Sequence, residues 1–416
     1  MAPAIRGHAD FAATGKLPGL GSSARIWSVA FDPGNGNIAL AGTDNGIYRS
    51  VDQGQTWTAA SLTGTRVYQV GFDARPPFAA YAALATRGIQ RSDDGGTTWV
   101  DSSSGLGNLD VQVLAFGVDG IGAGTADGLD VSTDGRQWRP AGLAGYSISA
   151  LAVAANSPAF TLVAGVDRGD TSAGFLFRTT SGGITPEVLN DGLPDSAVVT
   201  SAAAGPLPQG AERRPLLITS DLGVYHSIDG GTTWAASTGI PTQPTTVRLT
   251  CAQYSALDPN LVYAGSDSGG SSGGELMRSI DGGATFSLFD GGLPEAHNVT
   301  SIAVLPIPQP IILAAINPPE GPAGIFRDVD TTAPAPAPTT TEGTGAPIPA
   351  GVPTAAPAHT VPVTTRPAPA PAVRQSFLQG VFNWPLPLSL ELLVLLAIGY
   401  AVVRWRQRYL DVEGPP

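Results

Sequence analysis

Apolar residues recur along this chain in short runs, not in helical stripes, and the runs come in pairs. The first members are Ile26 to Phe31, Val67 to Phe72, Val111 to Phe116, Ile148 to Val153, Val198 to Ala203, Val247 to Ala252 and Val299 to Val304. The second members are Ile38 to Ala41, Ala80 to Leu84, Gly120 to Ala123, Thr161 to Ala164, Leu216 to Thr219, Leu261 to Ala264 and Ile311 to Ala315. Turn clusters such as Asp32-Pro33-Gly34 and Asp258-Pro259-Asn260 separate them. Short apolar runs bounded by such clusters predict buried strands joined by tight turns. The small residues inside the runs suit inner strands that crowd around a central axis.

A third short strand follows each pair and ends in Arg-Ser or a relative of it, as in Gly46 to Ser50, Gly88 to Ser92, Gly128 to Ser132, Gly223 to Ser227 and Gly324 to Asp328. It runs into a repeated motif, Ser-x-Asp-x-Gly-x-Thr-Trp/Phe. Full copies begin at Ser50, Ser92, Ser227 and Ser279, a copy one residue short begins at Ser132, and a degenerate copy begins at Thr179. With the strand that stops at Asp328, the starts fall at 50, 92, 132, 179, 227, 279 and 328, so the intervals are 42, 40, 47, 48, 52 and 49 residues. Those lengths match propeller blades of about 40 to 50 residues. Each unit therefore reads as strand A, strand B, strand C, box, strand D. Only six boxes are followed by a strand D, and the segment Asp10 to Pro18 resembles the residues just after a box. It is expected to pair with the last strand C and close the ring, removing the exposed end strands of an open array. The expected fold is all-β, a seven-bladed β-propeller over residues 10–330.

Every residue of the box has a structural reason to be present. The Asp side chain can accept hydrogen bonds from turn N–H groups. The Gly allows positive φ, the Thr starts strand D, and the Trp or Phe anchors a small blade. Asp52, Asp94, Asp134, Asp229 and Asp281, with Trp57, Trp99, Trp138, Trp234 and Phe286, are read as structural turn residues. A calcium loop would need further carboxylates that no box supplies.

The motif resembles the Asp box, or BNR repeat, of sialidase-like β-propellers, which is also found in sortilin-type receptors, some xyloglucan-active hydrolases and photosystem II assembly factor-like proteins. The resemblance covers roughly residues 10–330. It implies that the boxes lie at C–D turns, on the face opposite the ligand site. The sialidase catalytic pattern does not carry over: Ala24-Arg25-Ile26-Trp27 lacks both flanking residues of its arginine segment, and Glu187, Glu212, Glu275, Glu295 and Glu320 sit in no recognisable context. No catalytic residue is assigned. The remaining face is built from B–C and D–A loops, and its candidate ligand rim is Asp44, Asp127, Asp167, Asp170, Asp221 and Asp267. Such an acidic rim would select cationic or hydroxyl-rich ligands; the alternative is that Asp-x-Gly is simply a favourable hairpin turn.

Composition narrows the function further. The formal net charge is −12, and residues 1–330 hold 17 Lys plus Arg against 30 Asp plus Glu. An acidic surface of this kind excludes nucleic acid as a partner. One cysteine, Cys251, precludes an intrachain disulfide, and four scattered histidines show no metal-ligand spacing. No metal or cofactor is expected.

Past the propeller the composition changes. Residues 331–373 contain 11 Pro and no Phe, Trp or Tyr, which predicts a disordered Pro/Ala/Thr-rich linker without a core. Residues 384–405 run from Trp384 to Trp405 through an apolar stretch with Glu391 as its one charge before Arg404. At 1.5 Å per residue this spans about 30 Å, the thickness of a bilayer core, with tryptophans at both interfaces. A transmembrane helix is expected, followed by a short tail over 406–416. Arg404, Arg406 and Arg408 place that tail in the cytoplasm and the propeller outside. The functional expectation is a membrane-anchored, non-catalytic binding or scaffold protein for a protein or glycan ligand. A membrane-complex assembly factor and a glycoside hydrolase are the alternatives.

Overall fold

Each apolar pair becomes the inner half of a four-stranded antiparallel sheet, and seven such sheets follow one another in chain order. The computed structural model describes residues 9–73, 75–155, 161–167, 175–180, 187–194, 197–240, 248–267, 274–295 and 297–334. The expected linker beyond residue 334, the transmembrane helix over 384–405 and the tail over 406–416 lie outside the described residues. Among the described residues no helix is long and apolar enough to cross a membrane.

The first blade shows the pattern: strand A is Ile26–Phe31, strand B Ala39–Thr43, strand C Gly46–Ser50 and strand D Thr58–Ser61. Strand B is buried along its whole length there and in Ala80–Leu84, Gly120–Thr125, Leu216–Ser220 and Ile311–Ile316. A sheet covered on both faces reads as a continuous apolar run, not an alternating one, which explains the second member of each pair. The molecule has no single core. Among the described residues the buried apolar side chains divide into seven clusters, one at each seam between neighbouring blades.

The boxes sit at these seams. In four boxes the Ser hydroxyl donates to the Asp carboxylate at 2.7–2.8 Å and accepts the box Gly N–H at 2.8–2.9 Å. The Thr hydroxyls of Thr56, Thr98, Thr233 and Thr285 close the turn on the other carboxylate oxygen at 2.5–2.8 Å. Asp134, in the shortened box, instead takes the Arg136 and Gln137 amides at 2.8 and 2.9 Å. Gly54, Gly96, Gly135 and Gly283 lie against strand B of the preceding blade, and Gly231 against Leu189 of the preceding blade. A Cβ on Gly54 would come within 2.6 Å of Leu313, and one on Gly96 within 2.5 Å of Leu40. The aromatics obey the same rule: Trp57 belongs to the seam with the last blade, and Trp138 to that between the second and third. Each of the five described boxes thus joins its blade to the one before it.

Closure uses the N-terminus. Ala12–Ala13 pairs antiparallel with Gly324–Val329, placing Ala12 opposite Arg327. Phe11 donates its N–H to Gly291 at 2.8 Å and packs edge-on against Phe289. Where a seventh box would stand, Asp330 makes only a short turn, accepting the Thr332 amide and hydroxyl at 3.0 and 2.9 Å. Its fully buried carboxylate reaches back to the sixth blade and accepts Tyr263 Oη at 2.6 Å and Arg278 Nη1 at 2.8 Å.

Candidate functional site

Strand A of every blade starts on the face formed by the D–A and B–C loops and runs toward the box face. In all seven blades the pairing of strands A and B shifts register near the start of strand A: between Ile26 and Ser28, Val67 and Gln69, Val111 and Val113, Ile148 and Ala150, Val199 and Ser201, Leu249 and Cys251, and Val299 and Ser301. A bulge re-aims the skipped side chain. The skipped residues are Trp27, Tyr68, Gln112, Ser149, Thr200, Thr250 and Thr300, and all seven line the central channel of about 570 Å³.

Four of them donate a hydroxyl to the next blade. Ser149 Oγ donates to the Val199 carbonyl at 2.9 Å, Thr200 Oγ1 to Leu249 at 2.5 Å, Thr250 Oγ1 to Val299, and Thr300 Oγ1 to Ile26 at 2.8 Å. Each bond links one blade to the next. On the first three blades the latch hydroxyl is replaced by Trp27, Tyr68 and Gln112. Gln112 still bridges two blades, its Oε1 accepting Ser147 Oγ of the fourth blade at 3.1 Å, so the ring of latches is interrupted by the two aromatics.

This sector is organised around one carboxylate. Asp44 accepts the Arg25 amide at 2.9 Å, Trp27 Nε1 at 2.9 Å and Arg66 Nε at 2.7 Å. The Arg25 and Arg66 guanidinium carbons lie 5.9 and 5.3 Å from the Trp27 ring centroid, within cation–π range. Tyr68 meets the same ring edge-on at 5.9 Å. Burial raises the Asp44 carboxyl, but the hydrogen bonds from Arg25, Trp27 and Arg66 outweigh it and hold the group ionised below its usual range. Arg25 and Arg66 are both exposed. Beside them, Arg87 occupies the B–C turn of the second blade, where other blades carry Asp-x-Gly, and its Nη1 donates to Thr65 Oγ1 at 2.8 Å. This part of an acidic molecule is basic and aromatic.

Three of the expected rim residues, Asp44, Asp127 and Asp221, are engaged by hydrogen bonds within the fold. Asp44 is consumed as described. Asp127 accepts the Gly145 amide at 2.7 Å, and Asp221 accepts the Val198 amide at 2.7 Å. These carboxylates staple B–C turns to the neighbouring D–A connection. Asp167 and Asp267 end strand B in the fourth and sixth blades, opposite Ser147 and Arg248. Asp170 lies outside the described residues. The box residues Asp52, Asp94, Asp134, Asp229 and Asp281 stand on the other face, inside their own turns. Burial raises Asp94, yet the Thr98 and Ser92 bonds together pull it down to about 2.

Sequence reasoning passed over Trp27, Tyr68 and Arg66, because the bulge that aims them is a pairing property. The usable signal was the residue that follows a Val, Ile or Leu near the start of each strand A, read as a column: Trp, Tyr, Gln, Ser, Thr, Thr, Thr. Four small hydroxyls make a rule, and three large side chains in adjacent blades break it.

The chain is a seven-bladed β-propeller. No family model matches it. Its fold is similar to that of YCF48 in the structure of "YCF48 bound to D1 peptide", with TM-score 0.54 and 19% identity over 80% of this chain and 99% of that one. It is also similar to the GH74 xyloglucanase from Xanthomonas campestris, with TM-score 0.54 and 18% identity over 74% of this chain and 54% of that one. In sequence, 116 residues are 34% identical to a xyloglucanase of a Paenibacillus species, covering 28% of this chain and 10% of that protein. A further 32% identity over 126 residues relates it to a Hypocrea jecorina xyloglucanase, covering 29% of this chain and 14% of that protein. The chain thus spans only a small part of the length of these curated relatives.

Proposed function

We propose that this chain is a membrane-anchored, non-catalytic binding module whose partner site is the mouth sector formed by Trp27, Tyr68, Arg25 and Arg66. The carrying observation is the interruption of the latch ring. Five blades use the bulge position to hold the fold together, and the two aromatic blades use it to present side chains. The preferred partner is an extended protein segment. Exposed aromatic and arginine side chains are the usual anchors of protein interfaces, and YCF48, of the same fold, is a protein seen with a peptide bound. That supports the assembly-factor form of a binding role. Hydrolysis is less well supported, since a general acid needs a raised pKa and the one carboxylate of this sector is held low by three donors. The partial sequence likeness to xyloglucanases favours glycan recognition as a second reading.

A peptide library and a glycan array, both probed with the full chain and with Trp27→Ala/Tyr68→Ala, test this. The expected result is peptide binding that falls at least about tenfold in the double variant, equivalent to about 1.4 kcal/mol, with unchanged melting. Equal binding by both proteins would refute the site. Glycan binding lost in the same variant would keep the site and change the partner. For the anchor, carbonate-resistant membrane association and protease accessibility of the propeller on intact cells are expected. Extraction by carbonate would remove the anchor from the reading.

A further inference from the structure

The channel changes character along its axis. Toward the loop mouth it is lined by Ser28, Gln69, Ser201 and Ser301 beneath the bulge residues, and toward the box face by Ala30, Phe31, Gly71, Phe116, Ala204 and Val304. Within its lining Arg214 is the one charged side chain among the described residues. Arg214 precedes strand B of the fifth blade. Its amide donates to the Ala154 carbonyl at 3.3 Å, and its Nη1 donates to the Gly205 carbonyl at 3.0 Å. Ala154 and Gly205 are the box-side ends of two A strands, so the guanidinium stands at the apolar end of the lumen. It takes part in no ion pair among the described residues. The stretch 155–160 that follows Ala154 contains no Asp or Glu to serve as its partner. Burial alone pulls its pKa down, as expected for a cation without a countercharge.

A partly buried guanidinium without a carboxylate is costly unless something pairs with it. Its planar fork suits a carboxylate head, and low-dielectric walls strengthen that pairing. The rest of the lumen at this level offers aromatic and small aliphatic contacts. A protein of net charge −12 disfavours polyanions, which leaves a singly charged head on an apolar body. We propose that the box-side half of the channel binds a small amphipathic carboxylate, its head on Arg214 and its body among Phe31, Phe116, Ala204 and Val304. This site is separate from the loop-side mouth.

The test uses the full chain with 4-phenylbutyrate and its uncharged amide in equilibrium dialysis. Saturable one-to-one binding of the acid is expected, with the amide weaker by about tenfold, the scale of one charged hydrogen bond. Arg214→Gln is expected to reduce the acid to the level of the amide with unchanged melting, while Trp27→Ala/Tyr68→Ala leaves binding intact. Should Arg214→Gln misfold, phenylglyoxal labelling of the unaltered protein reads the same contact: the acid protects Arg214 and not exposed Arg25. Equal binding of acid and amide, or labelling of Arg214 unaffected by saturating acid, would overturn the site. Loss of binding in the Trp27/Tyr68 variant alone would move it to the mouth and likewise overturn it.

Discussion

A single box carboxylate does several jobs at once. Asp94 accepts from Ser92, the Thr97 and Thr98 amides and the Thr98 hydroxyl at 2.6–3.0 Å. Asp94→Asn turns one acceptor oxygen into a donor. It is expected to lower unfolding stability by about 1–2 kcal/mol, read as a lower urea midpoint at constant m-value. Because Asp52, Asp94, Asp134, Asp229 and Asp281 are all held below the ordinary value of 3.8, their contribution is full above that pH and is lost as pH falls through the depressed folded values. Glu275 has the opposite sign. Burial, helped by Asp290, raises it to about 7 from an ordinary 4.5, and its buried Oε2 has no hydrogen-bond partner among the described residues. The folded protein keeps this proton while the unfolded chain releases it, so stability falls as pH rises from about 4.5 to about 7. Glu275→Gln should flatten the melting temperature over that window; an unchanged slope would assign it elsewhere. His297, lowered by burial against the pull of Pro294 and Asp290, adds a loss as pH drops below 6.5.

At the level of elements, the seam and not the blade is the unit of stability. Strand C arginines extend the same logic: Arg49 Nε reaches Gly95 O at 2.8 Å and Arg327 Nε reaches Gln53 O at 3.2 Å, each in the next blade's box. The Arg-Ser signal before the box is therefore two signals, an inter-blade contact and a turn. Trp57→Ala opens the seam that closes the ring and is expected to cost about 3–5 kcal/mol, measured by denaturant unfolding. Removing residues through Pro18 deletes the closing strand and the Phe11 contacts. Aggregation or loss of the cooperative transition is expected on size-exclusion and calorimetry; an unchanged melt would mean that the pairing of Ala12–Ala13 with Gly324–Val329 contributes nothing.

For the molecule as a whole, the ring makes two unlike faces from one repeat. The box face repeats self-satisfied turns, and the loop face carries the interrupted latch ring. Most of the fold was legible because a blade repeats its strand and turn chemistry every 40–52 residues. The site was less legible because bulges, cation–π contacts and the direction of a carboxylate depend on residues far apart. Asp44 and Arg66 are 22 positions apart, and Thr300 and Ile26 are 274 apart. Arg66→Gln removes one of the three donors on Asp44. The Asp44 carboxyl is then expected to titrate at a higher pH, observable by carboxylate NMR, with melting little changed because Arg66 is exposed.

Seven apolar pairs, six boxes with their D strands, and an N-terminal segment able to supply the missing strand were enough to define the architecture from the amino-acid order alone. Those are local patterns, set by turn chemistry and strand periodicity within one blade. The assembled ring was needed to establish that the boxes hold one blade to the next, that the Asp44, Asp127 and Asp221 carboxylates are spent on neighbouring amides, and that Trp27 and Tyr68 meet at one mouth. Side chains near the axis have partners in adjacent blades, tens to hundreds of residues away, and only the packing of blade on blade, with ring closure for Thr300 and Ile26, brings those partners within hydrogen-bonding distance.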